Sequence, residues 1–268
     1  MDNRMDFSRY QRLLFERNGR LLTITLNRPE ALNATDDLLH SELARVFIEC
    51  TDDRDSDVIV LTGAGRAFCA GGGHEPMQKT IDDPERFEKL STEAKRIVYS
   101  MLDCPKPIIA KVNGHAVGFG ATLALFCDVV FAADHAKIGD PHVKVGYVAG
   151  DGGAVIWPQL LGFAKAKEYL LTGDLLLAPD AVKIGLINYA VPAAQLDQAV
   201  ADFAAKLLAN PAKAVQWTKL SINVGLKPIA HSVLEASMGY ERLSIFTADH
   251  KEAVAALREK RTPTFRGR

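Results

Sequence analysis

Three short stretches of this chain hold residues that could do chemistry. The segment GDPHVKVGYVAGDGG, from Gly139 to Gly153, sets His142 and Asp151 nine residues apart, with Asp140 beside the histidine. Imidazole ordinarily titrates near neutrality, so a histidine coupled to a carboxylate is suited to moving protons or activating water. A second stretch, GAGRAFCAGGG, ends in Gly71-Gly72-Gly73. Consecutive glycines let backbone N–H groups approach a ligand without side-chain interference. The third, Gly118-Phe119-Gly120, opens a helical pattern, where free N–H groups and the positive end of the helix dipole favour an oxyanion. Two such amides converging on one point would form an oxyanion hole. The bland alternatives are plain turns for the glycines and helix caps for His142 and Asp151. A dinucleotide-binding loop fits poorly, because GxGxxG requires glycine where Phe68 stands and no helical run is expected directly after the glycines.

Those residues need a frame. Residues 11–26 read as a hairpin turning at Asn18-Gly19, with Leu22, Ile24 and Leu26 alternating inward. A helix follows from Asp36 to Cys50, capped by Thr35 or Asp36 and apolar along Leu38, Leu39, Leu43, Val46 and Phe47. DVIVLTG, KPIIAKV and DVVFAA are short, continuously apolar strands of the fully buried kind. Helices are expected at 84–103 and 118–127. From about residue 153 helical patterns dominate, through AKAKEYLLTG, APDAVKIG and 195–209 to about Leu257. The strand–helix alternation predicts a parallel, crossover-connected α/β core with a helical C-terminal extension. On this reading residues 1–200 form the core with the active site, and 201–268 form a helical region for oligomer contacts and a lid. Val233, Leu234, Met238 and Leu243 suggest more apolar helix than one core needs.

Composition narrows the function. Apolar residues make up 48%, charged residues 24%, and the net charge is −1. With no block of like charge, nucleic-acid binding is not expected. No apolar run is long enough to span a bilayer and the N-terminus lacks a signal-like core, which predicts a cytoplasmic protein. Cys50, Cys69, Cys104 and Cys127 show no ligand spacing, so they read as reduced thiols and no metal is expected.

Several stretches fall in a telling order: LNRPEALNA (26–34), LTGAGRAFCAGG (61–72), PKPIIAKVNGHAVGFGATLALFCDVVFAA (105–133), YLLTGD (169–174) with APDAVKIGLIN (178–188), and EKRTPTF (259–265). Together they resemble the crotonase (enoyl-CoA hydratase/isomerase) superfamily over essentially the whole chain. The resemblance implies a spiral of β-β-α repeats, trimers or dimers of trimers, and acyl-CoA thioester substrates, with coenzyme A arriving as part of the substrate. It places the oxyanion-hole amides on Gly72 and Phe119. It assigns the adenine of CoA to the Ala70 carbonyl and the backbone near Ala31, and the CoA phosphates to Lys260 of a neighbouring subunit. His74, Glu75 and Thr122 would border the acyl pocket.

Two absences set this chain apart. Relatives that hydrate 2-enoyl-CoA by the usual route carry a glutamate four positions after the first glycine of the oxyanion turn. They carry another directly after the proline of a Gly-x-Pro segment. Here those positions hold Thr122 and His142. Threonine cannot serve as a carboxylate base, so His142 with Asp151 becomes the expected catalytic pair. That pair, followed by Gly-Asp-Gly and Trp157-Pro158, resembles 6-oxocamphor hydrolase, a relative that cleaves β-diketones without CoA. The leading expectation is a lyase that hydrates a 2-enoyl-CoA without the glutamate pair. The alternatives are hydrolytic C–C cleavage of a β-diketone, decarboxylation, and a non-catalytic or RNA-binding relative.

Overall fold

The computed structural model describes residues 5–268. Its larger sheet starts with the hairpin: β1 (Leu13–Asn18) pairs antiparallel with β2 (Leu21–Leu26). Gly19 supplies the positive φ of 57° that the tight turn needs. Four further strands continue the sheet in parallel: β3 (Val58–Gly63), β5 (Ile108–Val112), β7 (Val129–Ala133) and β10 (Tyr189–Val191), in the order β1-β2-β3-β5-β7-β10. All six residues of β3 are buried, as its unbroken apolar run predicts for a strand covered on both faces. On one face pack α1 (Asp37–Asp52) and α3 (Arg86–Asp103), which lie against each other. On the other lies α7 (Leu196–Leu208), whose Leu196, Val200 and Ala204 close a core layer over Val58, Val60, Ile109 and Phe131. Asp36 is the cap of α1, its carboxylate accepting the Leu39 N–H at 2.8 Å.

A second, smaller sheet holds β4 (Ala67–Cys69), β6 (His115–Val117), β8 (Lys137–Gly139) and β9 (Leu176–Leu177). The first three run parallel and the last is antiparallel to β8. Alternation of strand pairs with helices gives the repeated β-β-α winding. The remaining helices are α2 (His74–Asp82), α4 (Phe119–Leu125), α5 (Gly153–Thr172), α6 (Ala178–Lys183), α8 (Ala212–Ile245) and α9 (Ala248–Glu259).

Two expectations need correction. A helix does follow the first glycine run directly: α2 starts after Gly73, which is extended at φ −87° and ψ 170°. Pro76 sits in its first turn, where an N–H has no intrahelical acceptor to lose. The dinucleotide reading still fails, because Phe68 is a fully buried core residue. In α8, Leu234 and Met238 are not surplus. They belong to this chain's own core, whereas Leu243 is 64% exposed. Among the described residues no helix is long and apolar enough to cross a membrane.

Candidate active site

The small sheet assembles the site. Its three parallel strands end side by side, and each carboxyl end runs straight into one of the chemically suggestive segments. β4 leads to Ala70-Gly71-Gly72, β6 to Gly118-Phe119, and β8 to Asp140-Pro141-His142. Ligands of parallel α/β sheets collect at that end because loops and helix N-termini converge there.

The two glycine turns interlock backbone to backbone. A Cβ on Gly71 would lie 2.5 Å from the Val117 carbonyl oxygen and 3.5 Å from the Phe119 nitrogen. A Cβ on Gly120 would collide with the Cys69 carbonyl. The Thr35 N–H donates to the Gly71 carbonyl at 2.9 Å, in a short parallel bridge that turns the neighbouring Gly72 N–H away from Thr35. Phe119 is the first residue of α4, so its N–H has no acceptor inside the helix. Gly72 and Phe119 both line one cavity of about 120 Å³. Gly118, at φ 57° and ψ −125°, holds a conformation that only glycine adopts freely, and the space beside it belongs to the His142 ring.

His142 stands in the same cavity, between carboxylates. Its Nδ1 is hydrogen-bonded to Asp140 Oδ1, which also accepts the His142 backbone N–H at 3.3 Å. Its Nε2 lies 3.5 Å from Asp151 Oδ2, too far for a strong hydrogen bond, so that nitrogen is not locked to Asp151. Thr122 donates its hydroxyl to the other Asp151 oxygen at 3.1 Å. Asp140 is fully enclosed, and its Oδ2 lies against Gly153, the first residue of α5, where a helix N-terminus favours negative charge. The sequence pairs His142 with Asp151, either to orient the imidazole or to share its water. The structure gives the orienting position to Asp140 and puts Asp151 on the cavity side.

One further acid was missed. Glu241, on α8, lines the cavity and is buried, and its Oε2 has no hydrogen-bond partner among the described residues. Burial pushes the Asp151 carboxyl up, despite the opposing pull of His142. Burial and then the Asp151 charge hold Glu241 well above the ordinary carboxylate range. For His142, burial favours the neutral ring, but Asp140 and Asp151 outweigh it and raise its pKa well above 6.5. The glycines of Gly150-Asp151-Gly152-Gly153 make this crowding possible. A Cβ would lie 2.5 Å from Glu241 Oε2 at Gly150 and 2.6 Å from Thr122 Cγ2 at Gly152, and at Gly153 it would overlap Asp140 Oδ2. Nothing in the local sequence signals Glu241, which lies 90 positions beyond Asp151 and arrives only through the packing of α8 on α5.

Across the cavity stands a second histidine the sequence reading passed over. His40, on α1, meets Glu93 on α3 through Nδ1 and Oε2 at 2.8 Å, and Ser41 donates to the other Glu93 oxygen at 2.7 Å. Tyr147 completes one wall, stacked on His250 at 4.1 Å between ring centroids. Met77, Phe87, Leu90, Ala94 and Met238 supply an apolar lining.

The remaining predicted residues fall elsewhere. Thr122 does not border the cavity; it is buried behind Asp151. Glu75 points into an outer groove of about 470 Å³, which it shares with Ala31, Arg28 and Lys79. Groove and cavity have Thr35, Asp36, Asp37 and Pro76 in common, so they adjoin. The side chain of His74 lies outside the described residues. Ala70 donates its N–H to the Leu32 carbonyl at 3.0 Å, which ties the β4 turn to the segment carrying Ala31. Lys260 is an exposed, left-handed residue ending α9, and it borders neither space within this chain. Asp140, His142 and Asp151 offer ligand atoms within 4.8 Å of one another, a spacing a cation could use, but the Asp140 hydrogen bond already occupies Nδ1. The Cys69 thiol, pushed up to about 12 by burial, is no nucleophile.

A sequence model of the enoyl-CoA hydratase/isomerase family matches residues 16–268. The chain belongs to that family of CoA-thioester enzymes and their relatives. A solved enoyl-CoA hydratase/isomerase from Mycobacterium paratuberculosis superposes with a TM-score of 0.87 at 38% identity, covering 91% of this chain and 97% of that one. Crotonyl-CoA hydratase of Syntrophomonas wolfei is 32% identical over 96% of this chain and 98% of its own. The 1,2-epoxyphenylacetyl-CoA isomerase of Escherichia coli is 34% identical over 92% and 95% respectively. Membership makes this an enzyme with a crotonase fold. The relatives' names cover both hydration and isomerisation, so the reaction has to be argued from the side chains.

Proposed function

We propose that this family member adds water to a 2-enoyl-CoA, with Asp140–His142 replacing the usual glutamates. The observation that carries the reading is one histidine with Nδ1 held by a buried carboxylate and Nε2 unlocked, in a cavity shared with Gly72 and Phe119. The thioester oxygen would sit between the Gly72 and Phe119 N–H groups, where developing enolate charge is stabilised. His142 takes a proton from water as hydroxide attacks the β-carbon. A carboxyl kept protonated by burial, Asp151 or Glu241, delivers a proton to the α-carbon, and the proton on His142 restores that acid. Water is thus added without net proton change. The CoA moiety would lie in the outer groove by Ala31 and Ala70, with Lys260 of a neighbouring subunit at its phosphates. Exposed Ile222, Val224, Tyr240, Leu243 and Phe246 on and after α8 support a trimer or a dimer of trimers.

A second reading has one observation in its favour. A histidine braced by a carboxylate beside a protonated acid equally suits water attack on a carbonyl, followed by protonation of the departing carbon, as in hydrolytic cleavage of a β-diketone. The deciding experiment follows loss of the conjugated enoyl-thioester absorbance across a panel of enoyl-CoA esters, beside a panel of cyclic β-diketones. Turnover of an enoyl-CoA that depends on His142 supports hydration. Turnover of diketones alone would replace it with C–C hydrolysis.

A further inference from the structure

Two histidines, each held by a carboxylate behind it, line the cavity, and the proposed hydration uses only one. The other, His40–Glu93, is built with equal care. Both Glu93 oxygens are occupied, one by His40 and one by Ser41, and Lys89 lies 3.7 Å from the latter oxygen. Burial disfavours the Glu93 charge, but the hydrogen bonds from His40 and Ser41 prevail and lower its pKa, so it is a carboxylate at neutral pH. A carboxylate only accepts, so Nδ1 of His40 carries the hydrogen and the ring is fixed in tautomer and orientation. That leaves Nε2, which has no partner among the described residues on a side chain that lines the cavity. The ring stands beside Phe119, with centroids 5.2 Å apart, in a cavity whose lining combines apolar Phe87, Leu90 and Ala94 with the carboxylates Asp36, Asp37 and Asp151. His40 and His142 line the same cavity, so both imidazoles face one bound molecule.

A polar atom fixed in tautomer and direction, unpartnered at the wall of a pocket, sets orientation and selectivity for what binds there. We propose that His40, positioned by Glu93, binds a second oxygen on the acyl group, so that the preferred substrates are CoA esters with a keto or hydroxyl group beyond the thioester. This rests on the CoA-ester reading above. A neutral His40 would accept from a hydroxyl through Nε2, and a protonated one would donate to a keto oxygen. Either way the ligand is an oxygen-bearing chain, not a plain hydrocarbon one. His40 here is a specificity residue; Glu93 acts through it.

The test measures binding, so it does not depend on which reaction the enzyme runs. Titration calorimetry compares hexanoyl-CoA with 5-oxohexanoyl-CoA and 5-hydroxyhexanoyl-CoA, and pentanoyl-CoA with 4-oxopentanoyl-CoA. All are saturated and none is a β-diketone. The native enzyme should bind at least one oxygenated ester roughly 10-fold or more tighter than its plain counterpart. His40→Leu should reduce that ratio to near one without weakening the plain esters. Glu93→Gln, which keeps the imidazole, should lower the ratio partially and guards against a His40 variant that fails to fold. His142→Ala should keep the full ratio. Equal affinity for plain and oxygenated esters in the native enzyme, or a preference that survives His40→Leu, overturns the proposal and leaves the hydration reading standing. Loss of the ratio in His40→Leu together with full activity in His142→Gln does the reverse. No binding of any CoA ester overturns both.

Discussion

His142 and His40 face the same cavity, and each gives Nδ1 to a buried carboxylate, but their company differs. His40–Glu93 is a closed pair, with the second Glu93 oxygen satisfied by Ser41. His142 meets Asp140 on one side, Asp151 on the other, and Glu241 nearby. Burial pushes both Asp151 and Glu241 up, which favours protons held on that side. The His40 side has one carboxylate to its one imidazole and no such surplus. The same local motif is a proton store where acids outnumber the base, and a fixed reading head where they match. The difference comes from the third partner, not from the histidine.

The largest expected effect breaks the crowded side. His142→Ala should lower kcat by about 10²–10⁴-fold on the true substrate, and His142→Gln equally, because glutamine hydrogen-bonds but does not titrate. Unchanged circular dichroism and oligomer mass would show that the fold survives; near-full activity in His142→Gln would make the cluster structural. Asp140→Asn should cost roughly 10²-fold or more, since asparagine can present its N–H₂ to Nδ1 and favour the wrong tautomer. Steady-state kinetics should show this in kcat more than in KM.

The next effect sharpens the contrast through pH. His142 acts as base in its neutral form, and its pKa is raised, so kcat/KM should climb on the alkaline side of 6.5. Because the groups interact, the limb reports the cluster. Where Glu241 ionises, its charge supports the imidazolium, so Glu241→Gln should shift the limb to lower pH. A limb that stays in place would exclude Glu241 from the cluster. Stability should follow the same sign. The folded state raises the pKa of Glu241 above 4.5, so its contribution is complete below that value and is lost as pH rises through the folded one. The melting temperature of Glu241→Gln relative to the native protein should therefore improve as pH increases, as scanning calorimetry from pH 4 to 9 would detect.

The smallest effect is at Thr122. Thr122→Ala removes one hydrogen bond to Asp151, worth about 0.5–1.5 kcal/mol of stability, and should cost far less activity than His142→Ala. A loss as large as that of His142→Ala would mean Asp151 depends on this hydroxyl for its working position.

Much of this was legible before any coordinates. The hairpin, the buried strands β3, β5 and β7, and helices α1 and α3 announce themselves through period and continuity of apolar residues. So does His142, because it sits where a glutamate is missing, with Asp151 nine residues further on. The small sheet was not legible: β4, β6 and β8 are three residues each, too short to show a period, yet they bring the three site segments together. Asp140 was visible as a neighbour, but whether it or Asp151 holds Nδ1 depends on the turn after Pro141. Glu241 and the His40–Glu93 pair were out of reach for a different reason. Their helices are ordinary amphipathic ones, and only tertiary packing shows which polar residue faces inward.

The glycines at 150, 152 and 153 decide how this pocket could be re-engineered. Each has its missing side chain replaced by a neighbouring residue that the acid cluster needs: Glu241, Thr122 or Asp140. Any library that varies these positions would strike the machinery itself. Met77, Phe87, Leu90 and Met238 line the cavity without a hydrogen bond to any member of the cluster. The enzyme can thus be adapted from one wall only. New acyl shapes should be sought by recutting the apolar side while the glycine side stays as it is.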